Sequence, residues 1–234
     1  MTSWWQWPNR SDTISKSYAV IGVGRFGSAV CKELLRFDAE VLAIDNCQRA
    51  IDELRQEDLA IEARVVDCTD EEALRAAGAL DVGTVVVAIS EPIEASITAT
   101  LIVKDAVGSL VNQVIARASS DLHEKMLRRV GADRVVFPSK MQGTRLGMEL
   151  ARPNLLERLR LDDRHSIEEI KVPKPFVGYS LRQLNLRKNH NVSVLAAGPE
   201  NRLTVNPPAS QILNDGELLV IMGSSQALES LPSS

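Results

Sequence analysis

A chain of 234 residues with 44% hydrophobic side chains can bury a sizeable core, and its length favours two small domains over one large one. The net charge of −4 argues against a phosphate-backbone partner such as DNA or RNA, whose binders carry a basic face. No apolar run reaches the roughly 18 residues that span a bilayer, and three cysteines without a CxxC pair read as reduced thiols of a cytoplasmic protein.

The first nine residues hold Trp4, Trp5 and Trp7 and lack the apolar core of a signal peptide. Such a segment fits a docking surface, a membrane interface or a plain terminal extension. Residues 1–16 are therefore set aside as an extension with a polar linker from Asn9. From Tyr18 the pattern alternates. The strand Tyr18–Ile21 leads into Gly22-Val-Gly24-Arg25-Phe26-Gly27, a helix through Phe37, and the strand Val41–Asp45. Gly22 permits the tight turn, Gly24 lets a pyrophosphate approach the backbone, and Gly27 lets helix and strand pack closely. The first turn of the helix points free N–H groups at the phosphates. Asp45, followed by Asn46, is placed to accept from an adenosine ribose and would repel a 2′-phosphate.

A helix over 50–57, the strand Ala63–Val66, a helix over 71–77 and the apolar strand Thr84–Ile89 follow. Then come a helix over 93–107, the strand Asn112–Ala116, a helix over 120–130 and the strand Arg134–Phe137. Apolar strands joined by helical crossovers predict an α/β, Rossmann-like doubly wound parallel sheet over residues 17–139. Carboxyl ends of such strands face the ligand, which makes Asp67, Cys68, Ile89, Ser90 and Arg117 candidate contacts. Thr69 is a competing explanation for the third strand's end, as cap of the next helix. Arg25, a long cation inside the glycine turn, suits a triphosphate or a neighbouring subunit's nucleotide.

Residues 140–161 read as helical with a break at Pro153, so 140–163 is assigned as a crossover and linker. Residues 164–234 form a small α+β unit. Its expected parts are the strand Ser166–Val172, a capping box at Ser180–Gln183, a hairpin over 192–205 and the strand Glu217–Met222. His123, His165 and His190 all read as surface residues. No serine elbow, HExxH or metal-spaced cluster is present, so binding or sensing is favoured over catalysis. The open alternatives are a small NAD(H)-dependent oxidoreductase and an NADH-sensing regulator.

Taken together, Ala19–Gly27, Cys31–Leu34, Val41–Asp45, Asp67–Thr69, Val87–Ile89, Gly131–Arg134 with Pro138, and Leu219–Gly223 resemble the RCK family of potassium channel and transporter regulators. The likeness is to its soluble KtrA/TrkA-type subunits and spans about residues 17–223. It implies a Rossmann N-lobe and a small C-lobe, with homodimers assembled into an octameric ring at the inner face of the cell membrane. The partner it implies is a membrane-embedded potassium-translocating subunit of the KtrB/TrkH type, gated by ATP or ADP, with NAD(H) a further candidate ligand. By the same resemblance Met141–Leu150 packs on a neighbouring subunit, and Arg25 reaches a terminal phosphate across a dimer interface. Cyclic di-AMP is a candidate for the C-lobe, with Ile167, Arg187, His190 and Pro208 as its loosest assignments. Several relatives carry a cation-binding glutamate after the sixth strand's proline. Ser139 stands there in this chain and is a poor ligand for a hard cation, so no metal site is assigned.

Overall fold

The structure is a computed structural model that describes residues 17–57 and 61–232. The tryptophan-bearing segment lies outside the described residues. The chain divides into two compact units between Lys140 and Met141.

In the first unit β1 (Ser17–Ile21), β2 (Glu40–Asp45), β3 (Glu62–Val65), β4 (Thr84–Val87), β5 (Gln113–Arg117) and β6 (Arg134–Val136) form one sheet in the order β3-β2-β1-β4-β5-β6. All its pairings are parallel. Helices α1 (Arg25–Arg36), α2 (Gln48–Glu57), α3 (Glu71–Ala76), α4 (Ile93–Asp105) and α5 (Asp121–Arg129) make the crossovers. The run Thr84-Val-Val-Val87 is buried at every position because helices cover both faces of the sheet. Alternate residues serve opposite cores: Ala19, Ile21, Val85 and Val87 enter one, Val20, Ala43 and Val86 the other. Each such large aliphatic side chain contributes about 1.5–3 kcal/mol through burial. Strand order reverses between β1 and β4, which opens a crevice beyond their carboxyl ends.

Helix α6 (Pro138–Ala151) leads from one unit to the next and ends just before Pro153, as the sequence predicts. None of its residues is buried. The second unit is an antiparallel sheet of β7 (Leu155–Arg160), β8 (His165–Lys171), β9 (Val192–Gly198), β10 (Thr204–Val205) and β11 (Leu218–Ser224), in the order β10-β9-β11-β8-β7. Short helices α7 (Leu181–Leu184), α8 (Leu186–Asn189) and α9 (Ser225–Glu229) accompany it. Ser180 and Gln183 form the expected capping box. Residues 155–160 correct the helical expectation: they pair with β8, so the second sheet begins inside the segment assigned as linker. Among the described residues no helix is long and apolar enough to cross a membrane.

Candidate functional site

The crevice is built on the turn between β1 and α1. Gly22 has φ +92°, and a Cβ there would lie 3.0 Å from Ile89 Cγ1. Its N–H donates to the Ile44 carbonyl at 2.7 Å, tying the turn to β2. Gly27 is more constrained, since a Cβ would lie 1.8 Å from the Gly22 carbonyl oxygen. A Cβ on Gly24 would meet no atom within 4 Å, so the space in front of it is open. Gly24 caps α1 without a side-chain hydrogen bond, and no acid stands in the first turn. The helix therefore presents uncapped N–H groups and the positive end of its dipole to that space.

Asp45 does more than the sequence reveals. Its Oδ2 accepts from the Val23 N–H at 2.8 Å and its Oδ1 from the Cys47 N–H at 2.9 Å. The carboxylate thus braces the glycine turn against the end of β2. Each oxygen keeps a second lone-pair direction for a ribose hydroxyl. Asn46 beside it is exposed.

Arg117, the last residue of β5, sets its guanidinium 5.4 Å from the centre of the Phe26 ring in the first turn of α1. Its Nε is buried and has no hydrogen-bond partner among the described residues. A buried N–H left unsatisfied costs free energy, and a guanidinium so placed suits an anionic oxygen. Arg25 is exposed, and among the described residues no hydrogen bond or ion pair engages its side chain. Ile89 and Ser90 lie just past β4, both half-buried.

The end of β3 corrects one expectation. Asp70, not Thr69, caps α3, accepting from the Glu72 and Ala73 N–H groups. Thr69 instead donates its hydroxyl at 2.7 Å and its N–H at 2.9 Å to Asp67 Oδ1. These two bonds hold the exposed Asp67 carboxyl below its ordinary pKa. Cys68 is buried, and desolvation followed by the nearby Asp67 and Asp45 charges pushes its thiol up. Cys31 is pushed up to about 12 by burial. Both thiols are weak nucleophiles at neutral pH.

The structure brings together Gly22, Gly24, Phe26, Gly27, Asp45, Ile89 and Arg117 around one crevice, with Asp67 and Cys68 at the adjoining strand end. The Phe26–Arg117 stack escapes sequence reading because nothing local joins a residue of α1 to one at the end of β5. The surface assignment of His123 is corrected. It is fully buried, its Nδ1 accepts from the Ser119 N–H at 3.3 Å, and its Nε2 has no partner among the described residues. Burial lowers its pKa. In the second unit Ile167 is on β8, Arg187 is exposed on α8 and His190 packs its ring 5.7 Å from that of Phe176. Ile167, Arg187, His190 and Pro208 occupy different elements or loops, and no hydrogen bond or ion pair joins them among the described residues.

Comparison with known proteins places these features in context. Residues 18–138 match the TrkA-N domain and residues 167–232 the TrkA-C domain. The Ktr system potassium uptake protein C of Bacillus subtilis is 34% identical over 90% of this chain and 93% of its own. The Ktr system potassium uptake protein A of Vibrio alginolyticus is 35% identical over 90% and 94%. Among solved structures, the GsuK channel bound to NAD superposes with a TM-score of 0.63 at 18% identity, over 91% of this chain. This chain spans 38% of that channel's length, and at this identity the likeness concerns the fold.

Proposed function

The chain belongs to the family of proteins built from a TrkA-N and a TrkA-C domain, the RCK regulators of potassium transport, and from that premise we propose that it is a nucleotide-sensing regulatory subunit of a membrane potassium-uptake system. The observation that carries the reading is the uncapped amino end of α1, opening on the free space at Gly24 and flanked by the unpaired Arg117 Nε. Phosphates sit there, the ribose hydroxyls bond Asp45, and the base lies toward Ile89, Asp67 and Cys68. Residues 17–139 are the nucleotide-binding part, acting on the cytoplasmic side of the membrane. The Ktr relatives belong to potassium uptake systems by name. By extension this chain works with a membrane-embedded potassium-translocating subunit, as a homodimer assembled into a ring.

The ligands are ATP and ADP. Asp45 suits any adenosine with a free 2′-hydroxyl, so NAD(H) is the competing ligand. Two nucleotides act as a signal only when they bind two ring states with different affinity ratios. Arg25 supplies that difference as an exposed cation in the first turn of α1 that makes no side-chain hydrogen bond or ion pair among the described residues. Arg25→Ala is expected to weaken ATP about tenfold or more, the loss of a charge-assisted hydrogen bond of ~1.5–3 kcal/mol. ADP should change little. Calorimetric titration of both nucleotides into both proteins checks this, and equal losses would remove Arg25 from phosphate sensing.

A further inference from the structure

Phe26 and Arg117 belong to separate halves of the first unit, yet their side chains meet. Arg117 ends β5, where its own pairing with Val136 of β6 and that of Ala116 with Val87 of β4 fix the backbone. Phe26 is the second residue of α1, which follows β1. β4 lies between β5 and β1 in the sheet, so two strand spacings of about 4.8 Å each separate the starting points. The Arg117 side chain spans that gap across the end of β4, and its guanidinium lies 5.4 Å from the centre of the Phe26 ring. The first turn of α1 packs close to the same strand end, since a Cβ on Gly27 would lie 3.3 Å from that of Ala88. Among the described residues no carboxylate pairs with Arg117 and no oxygen accepts from its buried Nε.

We propose that Phe26 is a positioning residue that holds Arg117 ready for the phosphates ADP and ATP share. The inference rests on the reading of the crevice as a nucleotide site, and it assigns the two arginines to different parts of the phosphate chain. An aromatic ring attracts a guanidinium without supplying an oxygen acceptor, so the stack fixes the side chain and leaves its N–H donors to a ligand. A free arginine loses rotamer freedom when it binds an anion, whereas a stacked one has lost much of it beforehand. The place also suits phosphate. The first turn of α1 carries uncapped N–H groups, and a cation beside them adds to the positive end of the helix. A buried N–H with no acceptor is itself costly, and an anionic oxygen removes that cost. Arg25 differs in each respect: it is exposed, and among the described residues no ring holds it. Arg117 therefore sets the affinity common to both nucleotides, and Arg25 the difference between them.

Calorimetric titration of ADP and ATP into the full chain and four variants tests this, with thermal unfolding of each nucleotide-free protein as the check on folding. Arg117→Met keeps the length of the side chain and removes its charge. It is expected to weaken ADP and ATP by the same factor, about 10- to 100-fold. Phe26→Leu keeps the apolar contact and removes the ring, and should weaken both nucleotides about three- to tenfold. Most of that affinity should return in Phe26→Tyr, which keeps an aromatic face. In the double variant Phe26→Leu/Arg117→Met the loss should equal that of Arg117→Met alone, because Phe26 acts only through the guanidinium. Affinity untouched by Arg117→Met would overturn the inference and leave the nucleotide reading standing. Losses that add in the double variant, or equal losses in Phe26→Leu and Phe26→Tyr, would make Phe26 a packing residue and overturn its positioning role. A wild-type chain that binds neither ADP nor ATP would overturn the nucleotide reading and this inference together.

Discussion

Replacing Gly27 with alanine is expected to abolish measurable nucleotide binding and to destabilise the first unit by the upper end of the roughly 1–3 kcal/mol typical of overpacking. The new methyl would lie 1.8 Å from the Gly22 carbonyl oxygen and 3.0 Å from its carbonyl carbon. Both are backbone atoms, so no rotamer change relieves the clash. The turn has to move, and it is the turn that aims the α1 N–H groups. Gly24→Ala is the matching control. A Cβ there meets nothing within 4 Å, so thermal stability should hold while affinity falls about 10- to 100-fold, through intrusion into the space proposed for a phosphate. Thermal unfolding and nucleotide titration of the two variants check the pair. Equal stability losses in both would contradict the geometry.

The second large effect belongs to the other unit. Glu168 has no side-chain exposure, yet it is ionisable and lies on β8. Arg152 Nη1 donates to Oε1 at 3.0 Å and passes 2.9 Å from Oε2, toward which it is not aimed. Arg158 Nε lies 3.5 Å from Oε1. Arg152 also donates to the Leu228 carbonyl at 3.1 Å, and Arg158 to the Ser225 hydroxyl at 3.0 Å. One buried carboxylate thereby ties the residue following α6 and strand β7 to α9. Arg152→Ala leaves that carboxylate buried with a single, longer contact. The expected cost is about 2–3 kcal/mol, below the roughly 3–5 kcal/mol of a fully buried pair, because Arg152 is partly exposed and Arg158 remains. Arg152→Leu combined with Glu168→Leu should recover most of it, since the uncompensated charge is gone. Urea unfolding followed by circular dichroism measures both, and a single-variant loss below about 1 kcal/mol would contradict this account.

What was legible in the sequence is what short stretches of chain decide. The glycine turn, the acid ending β2 and the capping box at Ser180 each depend on neighbours a few residues away. The parallel sheet was legible because every apolar run had to be covered on both faces. Residues 155–160 read as helical because Leu155, Leu156 and Leu159 carry helical spacing among charges. Pairing with β8 overrides that local preference. Burial of Glu168 was equally hidden. The apolar choice at the strand centre is Ile167, yet the face turned inward is Ser166, Glu168 and Ile170, which arginines from two other segments make tolerable. At the end of β3 both Thr69 and Asp70 have capping chemistry, and the bond from Thr69 to Asp67 settles the choice in favour of Asp70. Arg117 was visible as a candidate, but its stack on Phe26 and its unpaired Nε are products of the tertiary fold.

The central claim is that this crevice senses adenine nucleotides. Parallel calorimetric titrations of nucleotide-free protein with ATP, ADP, NAD and NADH test it most directly. Tight binding of ATP and ADP with distinct enthalpies, and weaker binding of NAD and NADH, is the predicted result. A preference for NADH with ATP and ADP weak would contradict it.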